Sequence, residues 1–141
     1  MAAPRDLDAI RCARGWPRLV ASFRCAFRGL AEAWRCQQNL HIHVGVAAAA
    51  SALAAFLHVG PLQWAILALT YSLVIAAELF NSALEALTDL VSPGYHPLAR
   101  QAKDMAAGAV LVTALGAVAV GLLVLGPPLW ARVAGLLQKR N

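Results

Sequence analysis

Residues 76–90 read AAELFNSALEALTDL, and residues 102–112, a short way on, read AKDMAAGAVLV. Four of the seven acidic residues of the chain, Glu78, Glu85, Asp89 and Asp104, lie in or beside these apolar runs. A carboxylate in or near hydrocarbon is costly, so its presence there points first to function. Wound as a helix, Glu78, Asn81, Glu85 and Asp89 fall within about 80° of arc, with Ser82 beside them. One face of an otherwise apolar helix is thus a polar ladder, suited to holding a divalent cation and abstracting a proton.

The flanking sequence sets where that helix lies. The chain has 141 residues, 60% hydrophobic and 13% charged, with a mean hydropathy of +0.63. Soluble domains carry about a quarter charged residues, so an all-α integral membrane protein of one domain is expected. No Asp, Glu, Lys or Arg occurs between Arg35 and Glu78, nor between Asp104 and Arg132. A span needs about 20 apolar residues. The uncharged stretches predict membrane helices over about 44–59, 62–91 and 104–125, with Gly60-Pro61 as the first break. The second helix exceeds the hydrocarbon thickness, so its end carrying Glu85 and Asp89 is expected near water, with Glu78 deeper.

Seven of the twelve Lys/Arg precede the first span, and Arg100 and Lys103 lie in the second turn. The positive-inside rule places both in the cytoplasm, with Arg132, Lys139 and Arg140 outside. The net charge of +5 then meets anionic headgroups and nucleotide phosphates rather than nucleic acid. The first long apolar run starts after about 43 residues, later than in a signal peptide, so none is expected. Cys12, Cys25 and Cys36 form no CxxC pair and read as reduced thiols without a metal role.

Residues 1–15 are polar and basic and are expected to fray. From Pro17, an amphipathic helix is predicted over 16–35. Trp16, Leu19, Val20, Phe23, Phe27, Leu30 and Trp34 line one side, and Arg18, Arg24, Arg28, Glu32 and Arg35 the other. Arginines opposite aromatics mark a helix lying in the membrane surface. His41 and His43 diverge by about 200° on a helix and cannot share a metal, which leaves an interfacial polar collar. The alanine run at 47–50 and the AAGA at 106–109 present smooth faces for helix packing. Ser92–Pro97 reads as a turn with Tyr95 and His96 at its tip. After Gly126-Pro127-Pro128, residues 127–141 read as a short interfacial tail on the opposite surface.

From spacing alone three readings stay open: an enzyme acting on a charged substrate, an ion or proton path, and a polar seam between subunits. No GxxxxGK[ST] or GxGxxG loop occurs.

The run from Glu78 to Glu85, ELFNSALE, followed by Asp89, Tyr95-His96-Pro97 and AKDMAAGA at 102–109, resembles the prokaryotic diacylglycerol kinase family, which includes undecaprenol kinases. The likeness extends back through Phe23, Ala26, Phe27, Gly29, Leu30 and Trp34 and through Asn39–His43, covering about 18–125. It implies a homotrimer of three-span subunits, each with a surface helix, in the bacterial inner membrane with the N-terminus cytoplasmic. It implies Mg²⁺-dependent transfer of the ATP γ-phosphate to a lipid alcohol. A non-enzymatic trimeric scaffold or ion-conducting bundle is the alternative. Carried over by position, Glu78 is the general base. Asn81 orients Glu78 or the phosphate, and Arg18, Trp34 and Asn39 lie near the substrates. Glu85 holds Mg²⁺. Arg18, Gln37, Glu85, Tyr95, His96, Lys103 and Asp104 contact the metal-bound nucleotide. Asp89 reads as a solvated capping residue. Many relatives place a second metal-binding glutamate where this chain has Gln37, whose amide oxygen can ligate Mg²⁺ but brings no charge. The SPGYHPLA turn and AAGAVLV look closer to the undecaprenol-kinase branch.

Overall fold

The computed structural model describes residues 15–138 as four helices. The fraying expected of residues 1–14 and the last three residues of the tail lie outside the described residues. Helix α1 spans Trp16–Cys36, α2 Gln38–Leu57, α3 Pro61–Val91 and α4 Pro97–Gln138. Among the described residues no strand occurs. The last three helices are each long and apolar enough to cross a membrane.

Two compact units divide the chain, residues 1–37 and 38–141. In the first, Pro17 sits in the opening turn of α1, where its missing N–H costs nothing. No residue of α1 is buried, and its apolar face, from Trp16 to Trp34, stands exposed. Gln37 ends the helix in extended conformation, its N–H donating to the Ala33 carbonyl at 2.9 Å.

In the second unit α3 packs most extensively on α4, and α2 lies against both. Ala54 and Leu57 of α2, Leu67 of α3 and Leu125 of α4 form the core cluster. Large side chains elsewhere face outward, among them Phe80 and Leu123. That is the inverse of a soluble protein and suits a hydrocarbon surround.

The first turn closes earlier than the sequence suggests. α2 stops at Leu57, and His58 takes the left-handed region at φ 57°. The His58 N–H donates to Ala55 O at 3.1 Å and the Val59 N–H to Ala54 O at 3.2 Å. This is the paired bonding of a Schellman cap, with Val59 packing back on the core as the motif requires. Histidine in place of glycine costs about 1–2 kcal/mol, and the ring offsets part of it by donating from Nδ1 to Phe56 O at 3.0 Å. Gly60 and Pro61 then cap and open α3.

α3 has 31 residues, about 46 Å, and overshoots a hydrocarbon core of about 30 Å. α4 begins at Pro97 rather than near 104, because His96 caps it. Its Nδ1 accepts the Leu98 N–H at 3.2 Å and its carbonyl accepts the Arg100 N–H at 3.1 Å. The break expected at 126–128 is absent: α4 runs unbroken through Pro127 and Pro128 for 42 residues. Gly126 has no Cβ for the Pro127 ring to crowd, and prolines are tolerated where neighbouring helices hold the segment. Here the Arg132 guanidinium lies 4.5 Å from the centre of the Phe56 ring, with Nη1 3.5 Å from Phe56 O. That contact ties the expected tail to the end of α2.

Candidate active site

One stripe of α3 runs Leu67, Tyr71, Val74, Glu78, Asn81, Glu85 at steps of four and three, the spacing that turns a helix face onto its neighbours. Its lower half is core, with Leu67 and Val74 buried. Its upper half is the acid ladder. Glu78 is 1% exposed and Asn81 7%, and Glu85 is half-buried. Both carboxylate oxygens of Glu78 are buried without a hydrogen-bond partner among the described residues, as is Oδ1 of Asn81.

Asn81 serves Glu85 rather than Glu78: its Nδ2 donates to Glu85 Oε1 at 3.1 Å. The amide can reach either carboxylate by spacing, and the i,i+4 partner on the C-terminal side takes it. Ser82 donates to the Glu78 carbonyl at 2.9 Å, not to its carboxylate. The ladder thus consists of a naked carboxylate deep in the bundle and an oriented one seven residues on, about 10 Å along the helix.

At the α3–α4 turn four of the predicted nucleotide residues, Tyr95, His96, Lys103 and Asp104, line one cleft, whereas Arg18, Gln37 and Glu85 do not. A cleft of about 210 Å³ is lined by Asp89, Tyr95, His96, Arg100, Lys103 and Asp104 among others. Asp89 is solvated, as expected, but it also has a partner on the next helix. Its Oδ1 accepts from Lys103 Nζ at 2.5 Å, pairing α3 with α4. Arg100 pairs with Asp104 at 3.5 Å, both largely exposed. His96 is committed through Nδ1 to the helix cap. Tyr95 stands 79% exposed.

The remaining predicted residues are placed singly. Asn39 is exposed in the first turn of α2. On α1, Arg18 and Trp34 are exposed and Gln37 is half-buried at the helix end. Arg18 accepts the Ser22 hydroxyl at its carbonyl, 2.9 Å away. Near the end of α1, Cys36 Sγ donates to Glu32 Oε1 at 3.5 Å, and this hydrogen bond to a carboxylate pushes the thiol above its ordinary range. Among the described residues no three His, Cys, Asp or Glu side chains gather around one point.

Sequence reasoning missed the Asp89–Lys103 bridge, whose partners lie 14 residues apart, and passed over Tyr71. The signal for Tyr71 lies in the spacing: it sits seven residues before Glu78 on the same stripe.

The model of the family described as prokaryotic diacylglycerol kinase matches residues 24–125. A diacylglycerol kinase of Synechocystis is 47% identical over 114 residues, 80% of this chain and 65% of the length of that protein. An undecaprenol kinase of Bacillus subtilis is 37% identical over 112 residues, 79% of this chain and 91% of that protein. A diacylglycerol kinase of Escherichia coli is 31% identical over 104 residues, covering 74% and 85%. Since the matched region carries the whole acid ladder and the turn that follows it, the chain belongs to the prokaryotic diacylglycerol kinase family.

Proposed function

We propose that this protein is a membrane lipid kinase, moving the γ-phosphate of ATP onto the hydroxyl of a diacylglycerol or undecaprenol at the cytoplasmic interface. The observation that carries this is Glu78, a carboxylate 1% exposed with neither oxygen partnered among the described residues, on a helix long and apolar enough to cross a membrane. An unsatisfied buried carboxylate costs several kcal/mol at the order-of-magnitude level. A group so placed serves a substrate that brings its own donor, and an alcohol does. The lipid hydroxyl gives its proton to a Glu78 oxygen as its own oxygen bonds to the γ-phosphorus. The bond from that phosphorus to the bridging oxygen breaks, and ADP leaves.

Phosphoryl transfer needs alignment and charge neutralisation more than covalent help. Mg²⁺ is bound through one or two carboxylates, with phosphates and waters completing its shell. Glu85, oriented by Asn81, is a carboxylate of that kind, and the bound ion would neutralise phosphate charge. Lys103 and Arg100 at the turn cleft offer cations to the nucleotide, with Asp104, Tyr95 and His96 along the same wall. Arg18, Trp34, Gln37 and Asn39 are assigned to the substrates by resemblance. A homotrimer, an inner-membrane location and a cytoplasmic N-terminus belong to the same reading. The outward apolar side chains suit lipid and neighbouring copies alike.

The test is ATP consumption by purified protein in mixed micelles, measured with and without Mg²⁺ and added lipid alcohol. Turnover that requires both supports a kinase. Turnover indifferent to lipid, or none with either alcohol, rejects it in favour of a scaffold or ion-conducting bundle.

A further inference from the structure

Below the acid ladder, α2, α3 and α4 surround a groove of about 360 Å³. Its walls are apolar except for His43 and Tyr71. Every other hydroxyl on α3 is satisfied by a carbonyl of its own helix: Thr70 by Ile66, Ser72 by Ala68, Ser82 by Glu78 and Thr88 by Leu84. Tyr71 is too long to fold back in this way. Its hydroxyl is buried and has no hydrogen-bond partner among the described residues. A tyrosine buried in an apolar site normally finds an acceptor for its O–H. His43 is the other polar side chain in the groove wall.

We infer that the groove receives an ester-linked glycerolipid alcohol and that Tyr71 donates to its ester carbonyl, selecting a diacylglycerol over a polyprenol. This rests on the kinase reading and names its substrate class. Tyr71 and Glu78 share the stripe and stand two helical turns apart, about 10 Å. A diacylglycerol carries its hydroxyl and its ester carbonyls at different depths along one molecule, as Glu78 and Tyr71 lie at different depths along one helix. A polyprenol carries its one oxygen at the chain end and has no acceptor to offer at the depth of Tyr71. An isoprenoid chain in this groove would leave the tyrosine hydroxyl without an acceptor.

The experiment uses the full chain in mixed micelles. Initial rates are measured on a diacylglycerol, the matching dialkylglycerol ether and a polyprenol, for wild type and Tyr71→Phe. Melting temperatures are measured with and without each lipid in the absence of ATP. The expected result is that wild type favours ester over ether by about three- to tenfold in kcat/KM, the worth of one neutral hydrogen bond. Tyr71→Phe brings that ratio near one by losing rate on the ester. Without lipid, Tyr71→Phe melts no lower than wild type, since the hydroxyl has no partner to lose among the described residues. An equal loss on ester and ether overturns the inference, as does a wild-type ratio near one. A lower melting temperature for the lipid-free variant overturns it too, because the hydroxyl would then be bonded within the assembly. If wild type phosphorylates no lipid, the kinase reading fails by itself. The groove assignment is then judged on melting alone: greater stabilisation by ester than by ether, lost in Tyr71→Phe, upholds it, and equal stabilisation sinks it.

Discussion

Replacing Glu78 is expected to move stability and activity in opposite directions. The side chain is 1% exposed and both its oxygens lack partners among the described residues. Leaving a buried polar atom unsatisfied costs about 1–3 kcal/mol, more when the group is charged. Glu78→Met removes both oxygens while nearly keeping volume and helix propensity. The lipid-free protein should therefore gain at least about 1–3 kcal/mol. At roughly 2–8 °C of melting temperature per kcal/mol for a domain near this size, the shift is several degrees upward. Glu78→Gln keeps the shape and removes the proposed base. General-base catalysis contributes about 10²–10⁴ in rate, so lipid phosphorylation should fall by that factor. The assays are thermal unfolding in micelles followed by near-UV circular dichroism, and ATP turnover on a lipid alcohol. A Met variant that melts at or below wild type would show that the oxygens are bonded in the assembled protein. A Gln variant turning over near the wild-type rate would remove Glu78 from the chemistry. Either result breaks the link drawn between an unpaired carboxylate and its catalytic use.

Other expectations follow from the same geometry. Asn81→Ala removes the 3.1 Å bond that orients Glu85, and a Mg²⁺ titration of turnover should show the half-saturating concentration rising by about three- to tenfold. The Asp89–Lys103 pair is well exposed, at 66% and 36% of its side chains, so Asp89→Asn should cost less than about 1 kcal/mol by thermal unfolding. Lys103→Met, by contrast, should raise the apparent KM for ATP well beyond any change in melting. The Cys36 thiol is pushed up by its bond to Glu32, so less of it is thiolate at pH 8 than for an ordinary cysteine. In a background with Cys12 and Cys25 changed to serine, Glu32→Ala should lower the thiol back and speed maleimide labelling; an unchanged or slower rate would exclude the pair.

Much of this protein is legible in its amino-acid order. The ladder of Glu78, Asn81, Glu85 and Asp89 is a property of helical spacing, and membrane helices follow from two long stretches without charge. Both depend only on neighbours along the chain. The α2 cap is harder to read, because His58 takes a left-handed conformation usually given to glycine, and its motif depends on Val59 reaching the core. The break expected at 126–128 fails for a related reason. Proline signals a helix end when the helix stands alone, and here α4 stands against α2 through Arg132 and Phe56.

Which residue types share a face, and how deep each helix runs, are dictated by the order of residues, since both come from rise and rotation per residue. Which partner each polar group takes is a matter of packing. Asn81 faces Glu85, Lys103 reaches Asp89, and Glu78 and Tyr71 have no partner among the described residues. The Asp89–Lys103 bond joins side chains on two packed helices at a hydrogen-bond distance of 2.5 Å, and periodicity along one helix carries no information at that scale.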